Sequence, residues 1–179
     1  MNHLAMEIRR IDPSERVVLG VAAPYDEVSY LTPDPAGEVM LRGLFKRSLH
    51  HRADRIPLLR NHDTSITLGW STRFTETDSG LEALFKVNEG EPGDALLADA
   101  HNRYLTGMSV GYHPIKVTRG AGGVQQVAEA RLVEVSLVGI PAYEGAAMLA
   151  VRNAQDLPAL LAPFVNRPAV DLTPIASLW

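Results

Sequence analysis

The sequence predicts a mainly β fold of the β-rich α+β kind, a small closed or nearly closed antiparallel β-barrel with a few surrounding helices. Three observations lead there. Short runs rich in β-branched residues fill most of residues 1–152, and Gly, Pro, Asn or Asp break them at intervals. Only two segments carry helical spacing. A sheet of so many strands exposes unpaired edges unless it closes on itself.

Residues 16–22 (RVVLGVA) read as the first strand, ended by Ala23-Pro24-Tyr25-Asp26. A proline-bearing polar loop leads into a short strand over residues 38–41. Residues 43–51 (GLFKRSLHH) place Leu44, Phe45 and Leu49 at helical spacing. Residues 55–60 (RIPLLR) form a strand whose proline suggests an edge or a bend. After the turn Asn61-His62-Asp63-Thr64, residues 67–75 and 81–87 make a hairpin about the turn at residues 76–80. Residues 92–104 (PGDALLADAHNRY) are the clearest helix, with Asp94 as cap and Leu96, Leu97 and Ala100 as the buried face. Two long strands, residues 108–118 and 124–138, flank the glycine loop at 119–123. Beyond them the segment 153–179 has Pro158, Pro163, Pro168 and Pro174 and little periodicity, which predicts a loosely docked or disordered tail.

Composition narrows the chemistry. A chain of 179 residues suits one domain, here 1–152, with a tail. It has no cysteine, which excludes a thiol nucleophile, a redox pair, a thiolate zinc site and disulfides. With 17 basic and 21 acidic residues the formal charge is −4, which offers no basic field for phosphates, so no nucleic-acid partner is expected. No stretch approaches the roughly 18 apolar residues of a membrane span, and no secretory h-region opens the sequence. A soluble intracellular protein without a membrane partner is the expectation.

Gly107-Met108-Ser109-Val110-Gly111 fits G-x-S-x-G, the strained turn that exposes the nucleophile of α/β-hydrolases. That fold is excluded, because Pro114 and the alternation after Ser109 forbid the required helix. The only histidine after Ser109 is His113, with no acid between them. A serine on a strand is still a nucleophile if an imidazole takes its proton. Of His3, His50, His51, His62, His101 and His113, the best placed is His62, in a turn between strands. Its plainer account is a solvated loop side chain. Lys86 or Lys116 could instead serve in a Ser/Lys dyad, if desolvated. His50, His51, His62 and Asp63 could be assembled on a metal, but no HExxH-like spacing supports this, and no cofactor is expected. Glu134 interrupts the apolar run Leu132-Val133-Glu134-Val135-Ser136-Leu137-Val138. Either it alternates outward with Ser136, or it is a buried acid that orients a histidine.

Three motifs, LLRNHD around His62, LTGMSVGY around Ser109 and RLVEVSLVGIPAY around Glu134, together resemble the prohead maturation proteases of tailed bacteriophages, relatives of the herpesvirus capsid assemblins. GVAAPYDEVS and GEVMLRGLFKRSL resemble the N-terminal half of that family, so the likeness covers roughly residues 9–152. It implies a serine endopeptidase on an assemblin-like barrel, with Ser109 as nucleophile, His62 as general base and Glu134 as third member, where the herpesvirus relatives have a second histidine. The turn after the Glu134 strand would supply oxyanion donors, with Gly139, Ile140 and Ala142 as candidates, since Pro141 has no N–H. The implied substrate is the scaffolding segment of the major capsid protein or a separate scaffold, and the enzyme itself. The implied place is the assembling procapsid in the bacterial host cytoplasm, with self-association as a dimer. A catalytically inactive assembly or scaffold-binding protein on the same barrel is the alternative from another class.

Overall fold

The computed structural model describes residues 8–12, 14–30 and 34–141. Ala142 and the proline-rich segment 153–179 lie outside the described residues. The chain runs β1 (Ile8–Asp12), β2 (Val17–Pro24), β3 (Val28–Ser29), β4 (Glu38–Met40), α1 (Lys46–Arg52), β5 (Pro57–Arg60), β6 (Gly69–Glu76), β7 (Gly80–Val87), α2 (Glu91–His101), β8 (Gly107–Arg119) and β9 (Gln125–Val138). The strands form one sheet in the order β1-β2-β7-β6-β5-β9-β4-β3, with β8 paired to β9 alongside this path.

The sheet is curled into half a barrel and is neither closed nor purely antiparallel, which corrects the expectation of a closed antiparallel barrel. The cause is β9. Its N-terminal end pairs in parallel with β4, through Glu38↔Gln125 to Met40↔Val127. Its C-terminal end pairs in parallel with β5, through Leu58↔Val135 to Arg60↔Leu137. Its whole length pairs antiparallel with β8, from Gly107↔Val138 to Arg119↔Gln125. One long strand thus serves three partners. Closure would need β8 to pair onward with β2, but these two meet through a side chain: Met108 lies over Gly20, where an added Cβ would stand 3.0 Å from its sulfur.

The core lies inside the curl. Val18, Phe85, Met108, Leu132, Val135 and Leu137 are fully buried there, and Phe74 meets Phe85 edge-on at 6.1 Å between ring centres. Helix α1 closes one side by burying Leu49, and Ser48 Oγ accepts the Leu132 N–H at 3.1 Å. Helix α2 buries Leu96, Leu97 and Ala100, the face its spacing predicts. Asp94 is not its cap: the cap position is Gly90, and Asp94 sits in the first turn, paired with Arg16. Pro57 opens β5, an interior strand between β6 and β9, because the first residue of a strand can lack an N–H without breaking the ladder. Strands β1 and β3 escape sequence reading, being short and, for β3, only two residues long.

Candidate active site

Pairing register decides what stands together. In the β8–β9 ladder Ser109 is directly opposite Ser136, and Gly111 is opposite Glu134. Residues opposite each other in an antiparallel pair share a face, as do residues two apart on one strand. Ser109, Gly111, Glu134 and Ser136 therefore form one four-residue patch. Tyr112 pairs with Leu132, so Val133 has no partner, a bulge beside Glu134 of the kind that re-aims a neighbouring side chain.

His62 reaches this patch from the other edge of β9. Strand β5 ends at Arg60, opposite Leu137, and the next N–H, of Asn61, donates to the Leu137 carbonyl at 3.0 Å. Asn61 and His62 then both adopt left-handed backbone, φ 49° and 62°. Asn and His tolerate this region better than most residues, yet two in succession are uncommon. The reversal lays the imidazole back across β9. Its Nδ1 is 2.7 Å from Glu134 Oε1 and its Nε2 is 3.1 Å from Ser109 Oγ. The neighbouring Asp63 is turned elsewhere: its carboxylate accepts the Ser65 N–H at 2.9 Å.

Glu134 is 5% exposed and Ser136 not at all, so the strand is covered on both faces, with Val135 and Leu137 buried on the other. Glu134 and Ser136 do alternate onto the face opposite Val135 and Leu137, but that face is not exposed, because the loop bearing His62 roofs it. Ser136 Oγ donates to Glu134 Oε2 at 2.8 Å and accepts the His62 N–H at 3.0 Å. Both carboxylate oxygens are thereby satisfied, which makes burial of the charge tolerable.

This network selects a proton arrangement. An ionised Glu134 only accepts, so the neutral imidazole carries its proton on Nδ1 and presents a bare Nε2 to the Ser109 hydroxyl. Hydrogen bonding to Glu134, helped by its charge and opposed by partial burial, raises the His62 pKa above the ordinary histidine value of 6.5. A histidine that must accept a proton works only when neutral, so activity should rise with pH through a midpoint above 6.5. Glu134→Gln removes the charge, and the midpoint should move down while the maximal rate drops about 10²- to 10³-fold. A pH–rate profile on a peptide substrate checks both shifts; a midpoint unmoved by the substitution would separate His62 from Glu134.

Gly139 and Ile140 follow β9 directly, and the Gly139 carbonyl accepts the Thr106 hydroxyl at 2.6 Å. Gly139 lies three positions past Ser136, about 10 Å along the strand from the residue opposite Ser109. Lys86 Nζ donates to the Glu15 carbonyl, and Lys116 is exposed farther along β8. The His50 and His51 rings touch each other on α1, and no group of three metal-ligating side chains stands together among the described residues. Sequence reasoning missed Gly111 and Ser136 as parts of the site. Period-two alternation was the available signal, since it puts Ser136 on whichever face Glu134 takes.

A serine hydroxyl against a histidine, itself against a buried carboxylate, on a curled mixed sheet, defines a serine hydrolase that is not of the α/β-hydrolase kind. The family description that matches the chain, caudovirus prohead serine protease, spans residues 5–158, and the chain belongs to that family. It is a serine protease of phage capsid maturation. No curated protein matches it. Among solved structures it is similar to the capsid assembly protease of bacteriophage T4, at 12% identity over 69% of this chain and 97% of the other, with a TM-score of 0.48. It is also similar to the protease of Kaposi's sarcoma herpesvirus (KSHV), solved with a hexapeptide phosphonate inhibitor, at 13% identity over 87% and 78%, with a TM-score of 0.45.

Proposed function

We propose that this protease cleaves the scaffolding segment of the major capsid protein, or a separate scaffold protein, within the procapsid in the host cytoplasm, using Ser109, His62 and Glu134. The observation that carries the roles is the position of the His62 ring, hydrogen-bonded to Glu134 on one nitrogen and to Ser109 on the other. Ser109 gives its proton to His62 Nε2 as Oγ bonds to the scissile carbonyl carbon. Glu134 keeps the proton on Nδ1 and stabilises the imidazolium. The imidazolium then protonates the departing amine nitrogen, the C–N bond breaks, and an acyl-enzyme remains. Water repeats the sequence, its proton taken by His62, and releases Ser109.

The tetrahedral oxyanion needs N–H donors, and the chain after β9 is the proposed source, with Gly139, Ile140 and Ala142 as candidates. No helix of the described residues is long and apolar enough to cross a membrane. Self-association as a dimer and self-cleavage in the segment 153–179 belong to the same proposal. Mass spectrometry of matured particles and purified enzyme checks the latter; Trp179 retained throughout would remove it.

The direct test is co-expression with the neighbouring capsid gene and mass measurement of the capsid protein. A shortened capsid protein is expected. Full-length capsid protein beside folded enzyme would instead favour a silent assembly role.

A further inference from the structure

One hydroxyl outside the three candidate catalytic residues touches two parts of the site at once. Ser136 is wholly buried and lies opposite Ser109 across the β8–β9 ladder. Its proton goes to Glu134 Oε2, the oxygen that His62 does not use, and its lone pair takes the main-chain N–H of His62. That N–H belongs to the second of two left-handed residues, at the turn that throws the imidazole across β9. The reversal is closed by the Asp63 N–H on the Arg60 carbonyl at 2.9 Å and tied to β9 by the Asn61 N–H on the Leu137 carbonyl; the Ser136 hydroxyl adds the tie at His62 itself.

We propose that Ser136 is a positioning residue, which fixes the Glu134 carboxylate and the His62 main chain together and so sets the imidazole in line between Glu134 and Ser109. The inference rests on the proposed roles of those three residues. Ser136 cannot touch substrate, being buried beneath the site, so its loss acts on turnover rather than on binding. The charged groups about His62 are few. Glu134 faces it from β9, Asp63 is engaged by Ser65, and Arg60 of β5 is paired with Asp99 of α2 at 2.6 Å. From β8 the facing group is the neutral Ser109 hydroxyl.

The Ser136 hydroxyl points its positive end at Glu134 and offsets part of the buried negative charge. Without that dipole the charge is compensated by the His62 proton alone, and His62 holds its proton more tightly.

The test compares wild type, Ser136→Ala and Ser136→Thr in three measurements: peptide cleavage against pH, labelling of Ser109 by a fluorophosphonate, and NMR titration of the His62 ring, assigned with His62→Gln. For Ser136→Ala, kcat should fall about tenfold with KM unchanged, the size expected for one charge-assisted hydrogen bond. Fluorophosphonate labelling should slow in step, and the His62 midpoint should move to higher pH. Ser136→Thr, which keeps the hydroxyl, should restore most of the rate and return the midpoint. An Ala variant whose His62 midpoint is unchanged overturns the inference, whatever its rate. The titration needs no turnover, so the two readings can fail separately. A wild type that neither cleaves nor labels sinks the protease roles, while an unmoved midpoint in an active enzyme sinks the role of Ser136 alone.

Discussion

Ser109→Ala is expected to abolish capsid-protein processing and to lower peptide cleavage by about 10⁴-fold or more, with the fold intact. The size follows from the position of the hydroxyl. It is 3.1 Å from His62 Nε2, the ring nitrogen that Glu134 leaves free to take its proton, so no water can replace it without losing the covalent step. Stability should change little, because Ser109 is half-buried at the surface patch and its side chain donates to His62 rather than to the core. Cleavage assays, fluorophosphonate labelling and thermal melting read the three consequences. A Ser109→Ala variant that still labels at an undiminished rate would move the nucleophile elsewhere.

Gly111→Ala should be nearly as damaging, although residue 111 takes no part in the chemistry. A Cβ at this position would collide with Glu134 Oε1 and stand 3.0 Å from Cδ and Cγ of the same side chain. Oε1 is the atom that holds His62. The methyl group and the oxygen compete for one space, so the carboxylate must swing away, losing His62 and leaving a buried charge without its partners. Cleavage should fall about 10³-fold, the pH midpoint should drop towards that of an ordinary histidine, and unfolding free energy should fall by about 1–3 kcal/mol. A double-mutant cycle checks the cause. In a Glu134→Ala background the same substitution should cost little further activity; full additivity would place the damage elsewhere.

Gly111 also shows how a motif can be real while its first explanation fails. G-x-S-x-G at residues 107–111 suggests a strained elbow, but β8 runs straight through Ser109 as a regular strand. Gly111 needs no positive φ. It is glycine because the carboxylate of the facing strand occupies the place of a side chain.

Local patterns carried much of the rest. Alternation and turn residues marked β2, β4 to β9 and both helices, because a strand or helix declares its period within its own few residues. They could not reveal β1 and β3, nor that Pro57 opens an interior strand, since pairing partners lie far away in the chain.

The sequence by itself determined the chemical repertoire and the identity of the candidate residues. With no cysteine, a side-chain nucleophile for covalent proteolysis has to be a hydroxyl, and the segments around His62, Ser109 and Glu134 resembled one family. What only the tertiary structure decided is the company these residues keep. The parallel pairing of β5 with β9 and the left-handed turn at Asn61 and His62 bring a histidine 72 residues distant onto Glu134. That roof turned an alternating, apparently half-exposed strand into one buried on both faces. Alternation reports that two faces exist. Which of them is covered depends on a segment remote in sequence, and no local period encodes it.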